Sequence, residues 1–389
     1  MADSEDDVNQ VAGDPQAALP GEAAFGSAVG QLGPRVLDGL NALEQAFRRL
    51  HPPVFPALRN YLAPLLANLE GAIDPFASLS TPPELEAFHA DLLAAAHRTR
   101  DALAALALPG APEEGAARAL SSMHDHAQAQ ARLYPLRTAL PPVSAYFAEA
   151  FARDRLSDLE AQPMAAEGEV PAKVGLFRSA EPGARGGFDL YVPESYSESD
   201  DEPWPLVMAL HGGAGNGADF LWTWLREARS RKFILIAPTS QGSTWSFDQP
   251  SLDGEALRQM VEWVSRSWRI DPKRILLTGL SDGATMTLLV GAAESAPYTH
   301  LAPVSGVLHP ANFSNGNIDR MEGRPVFLVH GALDWMFPVA LARDAARVLS
   351  GAGAALLFRE IEDLSHTYPR EMNAEIIEWL CDAGISPDA

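Results

Sequence analysis

Gly279-Leu280-Ser281-Asp282-Gly283 sets a serine between two glycines. The apolar run Ile275-Leu276-Leu277, too short for a helix, precedes it, and small and apolar residues that suit a helix follow from Ala284 to Val290. A serine at such a strand-to-helix turn is held in strained backbone with its hydroxyl lifted out of the sheet, and the adjacent N–H groups can face an anion. The glycines leave room for the crowded backbone. Alone, the pattern is equally an ordinary glycine-rich turn.

A serine hydroxyl is a poor nucleophile at neutral pH, so it needs a base within reach and a group that orients the base. Leu364-Ser365-His366 supplies a base, and Val326-Phe327-Leu328-Val329-His330-Gly331-Ala332-Leu333-Asp334 supplies a carboxylate; each residue lies just past a predicted strand end. The assignment is Ser281 as nucleophile, His366 as base and then acid, and Asp334 as the group that fixes the imidazole tautomer. His330 and His309 are the rivals of His366. His330 directly follows a strand and reads as a structural residue at the sheet edge. Asp363 is the rival of Asp334, but it would have to share one short loop with His366. Pro205 to Leu210 reads as a buried strand that ends in His211-Gly212-Gly213-Ala214. The expected oxyanion donors are therefore the backbone N–H of Asp282 and that of Gly213 or Ala214. His211, Trp245, Phe247, Trp335 and Phe337 are expected around the mouth of the site, where they suit an apolar acyl or aryl group. Trp222 and Trp224 are either further pocket residues or core anchors.

The elements that must hold these residues alternate from Trp204 onward. Strands are expected near 205–210, 232–237, 273–279, 300–304, 325–330 and 355–360, and helices near 217–230, 253–268, 282–294, 338–350 and 370–382. Such alternation predicts an α/β fold, a parallel sheet with helices on both faces. Residues 174–177 and 188–192 read as an antiparallel pair at the sheet edge. Active residues on such sheets gather beyond the strand C-terminal ends, where all three candidates fall.

An all-helical N-terminal region precedes the sheet. Apolar residues at spacings of three and four make stripes over Val36 to Leu50, Leu58 to Leu69, Leu85 to Leu93, Ala116 to Leu133 and Val143 to Leu159, with Pro64 as a kink point. Pro52-Pro53, Pro82-Pro83, Pro109-Gly110 and Pro141-Pro142 break the stripes. His124 and His126 point in different directions from a helix and read as a surface pair, not a metal site. Residues 1–30 read as a disordered acidic arm, 31–160 as a helical domain or cap, 161–172 as a linker and 173–389 as the catalytic domain.

Charge excludes one class of function. With 29 Lys and Arg against 51 Asp and Glu, a net charge of −22 and no basic stretch, the chain offers nucleic acid no landing site. No apolar run is long enough to span a membrane, and Met1-Ala2-Asp3-Ser4-Glu5 does not begin a secretory pattern, so a cytoplasmic protein is expected. The single cysteine, Cys381, reads as a buried structural thiol.

From Val174 on, the chain resembles the α/β-hydrolase superfamily, and within it esterases of the phospholipase/carboxylesterase and polyhydroxyalkanoate-depolymerase-like groups. The resemblance is carried by His211-Gly212-Gly213, by Ile270-Asp271-Pro272-Lys273-Arg274 leading into Thr278-Gly279-Leu280-Ser281-Asp282-Gly283, by Ala302-Pro303-Val304-Ser305-Gly306, and by His330-Gly331-Ala332-Leu333-Asp334. It implies hydrolysis of a small-molecule ester through an acyl-enzyme intermediate, with no metal or organic cofactor. The resemblance does not extend to the helical region before Ala161. That region reads as a lid, as a surface for homo-oligomers, or as a partner module. The alternative function is accordingly a partner-binding protein whose hydrolase part is inactive.

Overall fold

The computed structural model describes residues 20–110, 114–161 and 173–382. The expected linker and residues 1–19 of the acidic arm lie outside the described residues, apart from Ala161, whose amide bonds the Ser157 carbonyl. Among the described residues six helices come first: α1 Pro20–Arg48, α2 Phe55–Ala77, α3 Glu86–Ala107, α4 Gly115–Leu133, and the short α5 Pro141–Tyr146 and α6 Leu156–Glu160.

The stripes identify α1 to α4, with two differences. Residues 20–30 belong to α1 and are no part of an arm. Phe25 is buried there against Phe76 and Phe88, with ring centroids 5.9 and 6.0 Å away, so one aromatic anchors a turn whose composition looks solvated. The fifth stripe is not one helix. Glu149 is extended (φ −66°, ψ 156°), and a 3₁₀ segment, Ala150–Arg155, separates α5 from α6. α2 continues through Pro64.

Eight strands follow among the described residues: β1 Gly175–Arg178, β2 Phe188–Val192, β3 Trp204–Leu210, β4 Ile234–Pro238, β5 Ile270–Leu280, β6 His300–Val304, β7 Pro325–Gly331 and β8 Ala355–Ile361. They form one sheet in the order β1-β2-β4-β3-β5-β6-β7-β8. The β1 and β2 pairings are antiparallel, and from β4 to β8 every pairing is parallel. The interleaved helices are α7 Gly217–Phe220, α8 Leu225–Arg231, α9 Pro250–Ser267, α10 Asp282–Gly291, α11 Ala311–Ser314, α12 Val339–Gly351 and α13 Met372–Cys381. The helix expected over 217–230 is broken by a 3₁₀ turn at Leu221–Thr223 and ends where Lys232 adopts φ +59°. Cys381 is exposed at the last position of α13, where the apolar face has already been supplied by Ile376, Ile377, Trp379 and Leu380.

Alternation along β3 assigns the two faces. Leu206, Met208 and Leu210 join the core with Leu257 and Val261 of α9, Met286 and Leu289 of α10, and Leu349 of α12. Val207 and Ala209 join the other core with Leu225 and Ala228 of α8 and Ile376, Ile377 and Leu380 of α13. That second core continues without interruption into Leu32, Leu40, Leu43, Leu62 and Leu92 of the N-terminal helices. The helical region therefore packs on the α8/α13 side.

Buried polar contacts fix how it sits. Arg229 is fully buried and donates to the carbonyls of Ser144 (2.9 Å) and Phe147 (3.2 Å) and to Glu160 (2.5 Å). Tyr134 Oη donates to Glu194 at 2.8 Å, and Arg137 reaches the same carboxylate at 2.8 Å. Trp222, 3% exposed, lies under Tyr134 and Phe147, and Trp224 is fully buried beside Phe233 and Tyr368, so both tryptophans are core anchors. Breaking a buried charge pair of this kind by truncating one partner typically costs about 3–5 kcal/mol. No helix among the described residues is long and apolar enough to cross a membrane.

Candidate active site

β5 delivers Ser281. Its residues Ile275 to Gly279 are buried, and Ser281 breaks from the strand with φ +55° and ψ −116° before α10 begins at Asp282. A non-glycine residue in that region is strained and is held there by its surroundings. The Ser281 amide donates to the Val304 carbonyl at 2.9 Å, and its carbonyl accepts from Thr285 at 2.9 Å. Both flanking glycines are required by close backbone approach. A Cβ on Gly279 would lie 2.6 Å from the Gly283 carbonyl carbon and oxygen, and one on Gly283 would lie 2.4 Å from the Leu210 carbonyl oxygen.

The candidate base and carboxylate meet this serine. His366 Nε2 is 2.9 Å from Ser281 Oγ, and His366 Nδ1 is 2.8 Å from Asp334 Oδ2. The tautomer that satisfies both contacts has Nδ1–H donating to the carboxylate and the serine hydroxyl donating to Nε2. Asp334 has a fully buried side chain. Its Oδ1 accepts from the amides of Met336 (3.0 Å) and Phe337 (2.8 Å), so the loop folds back on its own carboxylate. The three sequence candidates thus converge from the ends of β5, β7 and β8.

The rivals are placed elsewhere. Asp363 is bound to Arg48 at 2.8 Å, and its side chain is largely exposed. His309 Nδ1 accepts the Ala311 amide at 3.2 Å, and its ring stacks on Phe247 with centroids 5.9 Å apart. His330 is fully buried within β7, between β6 and β8 and not at a sheet edge. Its Nε2 lies 2.7 Å from the Phe337 carbonyl and 3.3 Å from Asp334 Oδ2, behind the carboxylate.

The loop after β3 lies against the elbow. A Cβ on Gly212 would be 3.6 Å from Ser281 Cβ, and one on Gly213 would be 2.7 Å from Asp282 Oδ2. Asp282 opens α10, where an N–H has no carbonyl one turn back to bond. Of the two donors expected from the loop, the Ala214 amide is occupied by the Ser243 carbonyl at 3.2 Å. Gly213 is therefore the candidate that remains.

His211 and Trp245 do not line a pocket. They are 1% and 2% exposed and pack on each other under the loop, with ring centroids 4.8 Å apart. Trp245 Nε1 donates to the His211 carbonyl at 2.8 Å, and His211 Nε2 accepts the Ser240 amide at 3.0 Å. Burial, the largest influence, brings the His211 pKa down to about 4, so its ring is a neutral scaffold. Phe337 packs edge-on against the His366 ring with centroids 5.2 Å apart. Leu333, Trp335 and Met336 on the same loop are 44, 55 and 49% exposed and form an apolar rim beside Asp334.

Sequence reasoning missed the supports of this loop. Thr244 Oγ1 donates to Asp282 Oδ2 at 2.5 Å, and the buried Asp253 carboxylate accepts the amides of Gln241 (3.2 Å) and Ser246 (2.7 Å). The one available signal was an acid in the first turn of α9, next to a segment rich in glycine and serine. Among the described residues, no three His, Cys, Asp or Glu side chains converge in a geometry that could hold a metal ion.

Residues 254–382 match the phospholipase/carboxylesterase family model. Over 114 residues the chain is 33% identical to poly(3-hydroxyalkanoate) depolymerase C of Paucimonas lemoignei, which covers 26% of this chain and 28% of that one. Over 158 residues it is 28% identical to the bifunctional acetylxylan esterase/xylanase XynS20E of Neocallimastix patriciarum, covering 40% and 22%. The chain therefore spans less than a third of the length of either relative. The solved structure of TT1662 from Thermus thermophilus superposes with a TM-score of 0.43 and 22% identity, over 54% of this chain and 99% of that one.

Proposed function

From a chain that belongs to the α/β-hydrolase superfamily and is related to phospholipase/carboxylesterase-type esterases, we propose a serine hydrolase that cleaves carboxylic esters through Ser281, His366 and Asp334. The observation that carries the reading is the unbroken relay of 2.9 and 2.8 Å contacts from Ser281 Oγ through His366 to Asp334. Ser281 Oγ attacks the ester carbonyl while His366 Nε2 takes the hydroxyl proton, and Asp334 stabilises the imidazolium. The negative charge that develops on the carbonyl oxygen is met by the amides of Asp282 and Gly213. Collapse of the tetrahedral species breaks the bond to the alcohol oxygen, which leaves with the proton from His366. Water then repeats the sequence on the acyl-serine and releases the acid. The exposed Trp335 and Met336 beside Phe337 offer an apolar rim for the acyl or aryl part of the substrate.

A fluorophosphonate probe tests this reading, because it needs an activated serine and an oxyanion hole and little else. The pure protein should label, and Ser281→Ala and heat-denatured protein should not. Absence of labelling in folded wild-type protein would overturn the assignment.

A further inference from the structure

His366 lies in the ten-residue connection from Glu362 to Glu371, which has no helix or strand of its own between β8 and α13. Such a connection is ordinarily among the more mobile parts of a fold, whereas a general base has to be held within a fraction of an ångström of its nucleophile. On the inner side the connection is anchored by the sheet. The Leu333 amide donates to the Leu364 carbonyl at 2.9 Å, and a Cβ on Gly331 would meet that carbonyl oxygen at 2.3 Å.

The outer side is held by the N-terminal region, more than 300 residues away in sequence. Arg48, the last residue of α1, forks across the loop. It donates to Asp363 Oδ1 at 2.8 Å and to Glu371 Oε1 at 2.5 Å, one on each side of His366. Glu44 lies one turn earlier on the same helix face and accepts from Arg370 at 2.7 Å. Glu44 is itself fixed by Arg226 at 3.0 Å and by the Tyr146 hydroxyl at 2.8 Å. Just past α1, His51 Nδ1 stands 3.5 Å from Ser365 Oγ, at the residue next to the base. Four of the ten loop residues are thus tied to one helix end, and none of the four is a triad member.

We infer that the N-terminal helical region braces the general base, with Glu44 and Arg48 as positioning residues that hold His366 against Ser281 through Arg370, Asp363 and Glu371. The inference rests on the hydrolase reading above. The Arg48 pairs are partly exposed, and an isolated pair of that kind contributes little to global stability. Their effect is local. They restrict the loop at both shoulders of the base, where a small displacement lengthens the 2.9 Å contact to Ser281.

The test is made on the full chain, because removing the helices would expose the core they share with the sheet. Arg48→Met should accelerate amide hydrogen exchange across residues 363–371 and slow fluorophosphonate labelling of Ser281 about tenfold, with little change in melting temperature. On an ester substrate the loss should fall on kcat, with KM near the wild-type value. Arg48→Lys, which can still reach one carboxylate, should recover part of the rate, and Glu44→Gln should repeat the loss through a different partner. Wild-type labelling rates in Arg48→Met and in Glu44→Gln would overturn the brace while leaving the hydrolase reading intact, and so would faster loop exchange with labelling unchanged. A wild-type protein that does not label would overturn the hydrolase reading, and the brace with it.

Discussion

His330 Nε2 lies 3.3 Å from the same Asp334 Oδ2 that accepts the hydrogen bond from His366 Nδ1–H, so one carboxylate oxygen stands between two imidazoles. Only one of the two also reaches the serine. His366→Ala should therefore lower kcat by about four orders of magnitude or more at nearly unchanged folding stability. His330→Ala should instead leave the Phe337 carbonyl unpaired in a cavity behind the site and lower folding stability by about 2–4 kcal/mol, with a much smaller loss of rate. Steady-state kinetics beside thermal melts separate the two. The opposite pattern would mean that His330 is the base.

Gly213→Ala tests the oxyanion loop. The added Cβ would lie 2.7 Å from Asp282 Oδ2, so either the loop or the Asp282 side chain has to move. Displacing one oxyanion donor typically costs about 10²- to 10³-fold in kcat, and that loss is expected here with KM little affected. Adding Asp282→Ala removes the clashing oxygen and should restore part of the rate, although it also frees Thr244 Oγ1 from its 2.5 Å partner. A double variant no faster than the single one would show that steric displacement by Oδ2 is not the cause.

Trp335 and Met336 bear on chain-length preference. They are about half exposed, and the next residue, Phe337, packs against His366. If the rim receives the acyl chain, truncation to alanine removes apolar contact only from substrates long enough to reach it. Trp335→Ala should lower kcat/KM for an octanoate ester roughly tenfold, equivalent to about 1.4 kcal/mol, while acetate ester turnover stays within about twofold. Equal losses on both esters would place the rim outside the acyl path.

The parts of this architecture that were legible in the sequence are those written locally. Ile275 to Gly279 announces a buried strand, Gly279 and Gly283 announce a crowded turn, and Asp334 and His366 follow apolar runs that end at the same edge of the sheet. Where a side chain has two plausible environments, the local pattern gives no answer. His126 reads as a surface histidine, yet it is 6% exposed, T-stacked on Phe47 and within 3.3 Å of the Leu40 carbonyl. His211 opens the loop after β3 and Trp245 lies in the connection after β4, two places where pocket residues gather, but both are buried and support the loop from beneath. The Arg48 contacts could not be read at all, because their partners are 315 and 323 positions away and no periodicity links a helix end to a distant loop.

Glu44 gives the brace a signature in pH. Burial alone would raise its pKa, but the charges of Arg370, Arg226 and His126, with the Tyr146 hydroxyl beside them, hold it at about 2 against an ordinary 4.5. The unfolded chain therefore takes up this proton before the folded one does. The stability contributed by the Glu44 carboxylate is complete above pH 4.5 and is lost as the pH falls through about 2, and it is on the order of 3 kcal/mol. The neighbouring His126, brought down to about 4 chiefly by burial, adds its own loss between pH 6.5 and 4, so the comparison is best made in a His126→Gln background, which also removes one of the charges that lower Glu44 and leaves Arg370 and Arg226 to do so. There, Glu44→Gln should melt well below its parent at pH 7, and the gap should narrow steadily as the pH falls below 4.5. A gap independent of pH would mean that Glu44 contributes through packing alone and that its charge does not hold Arg370 against α1.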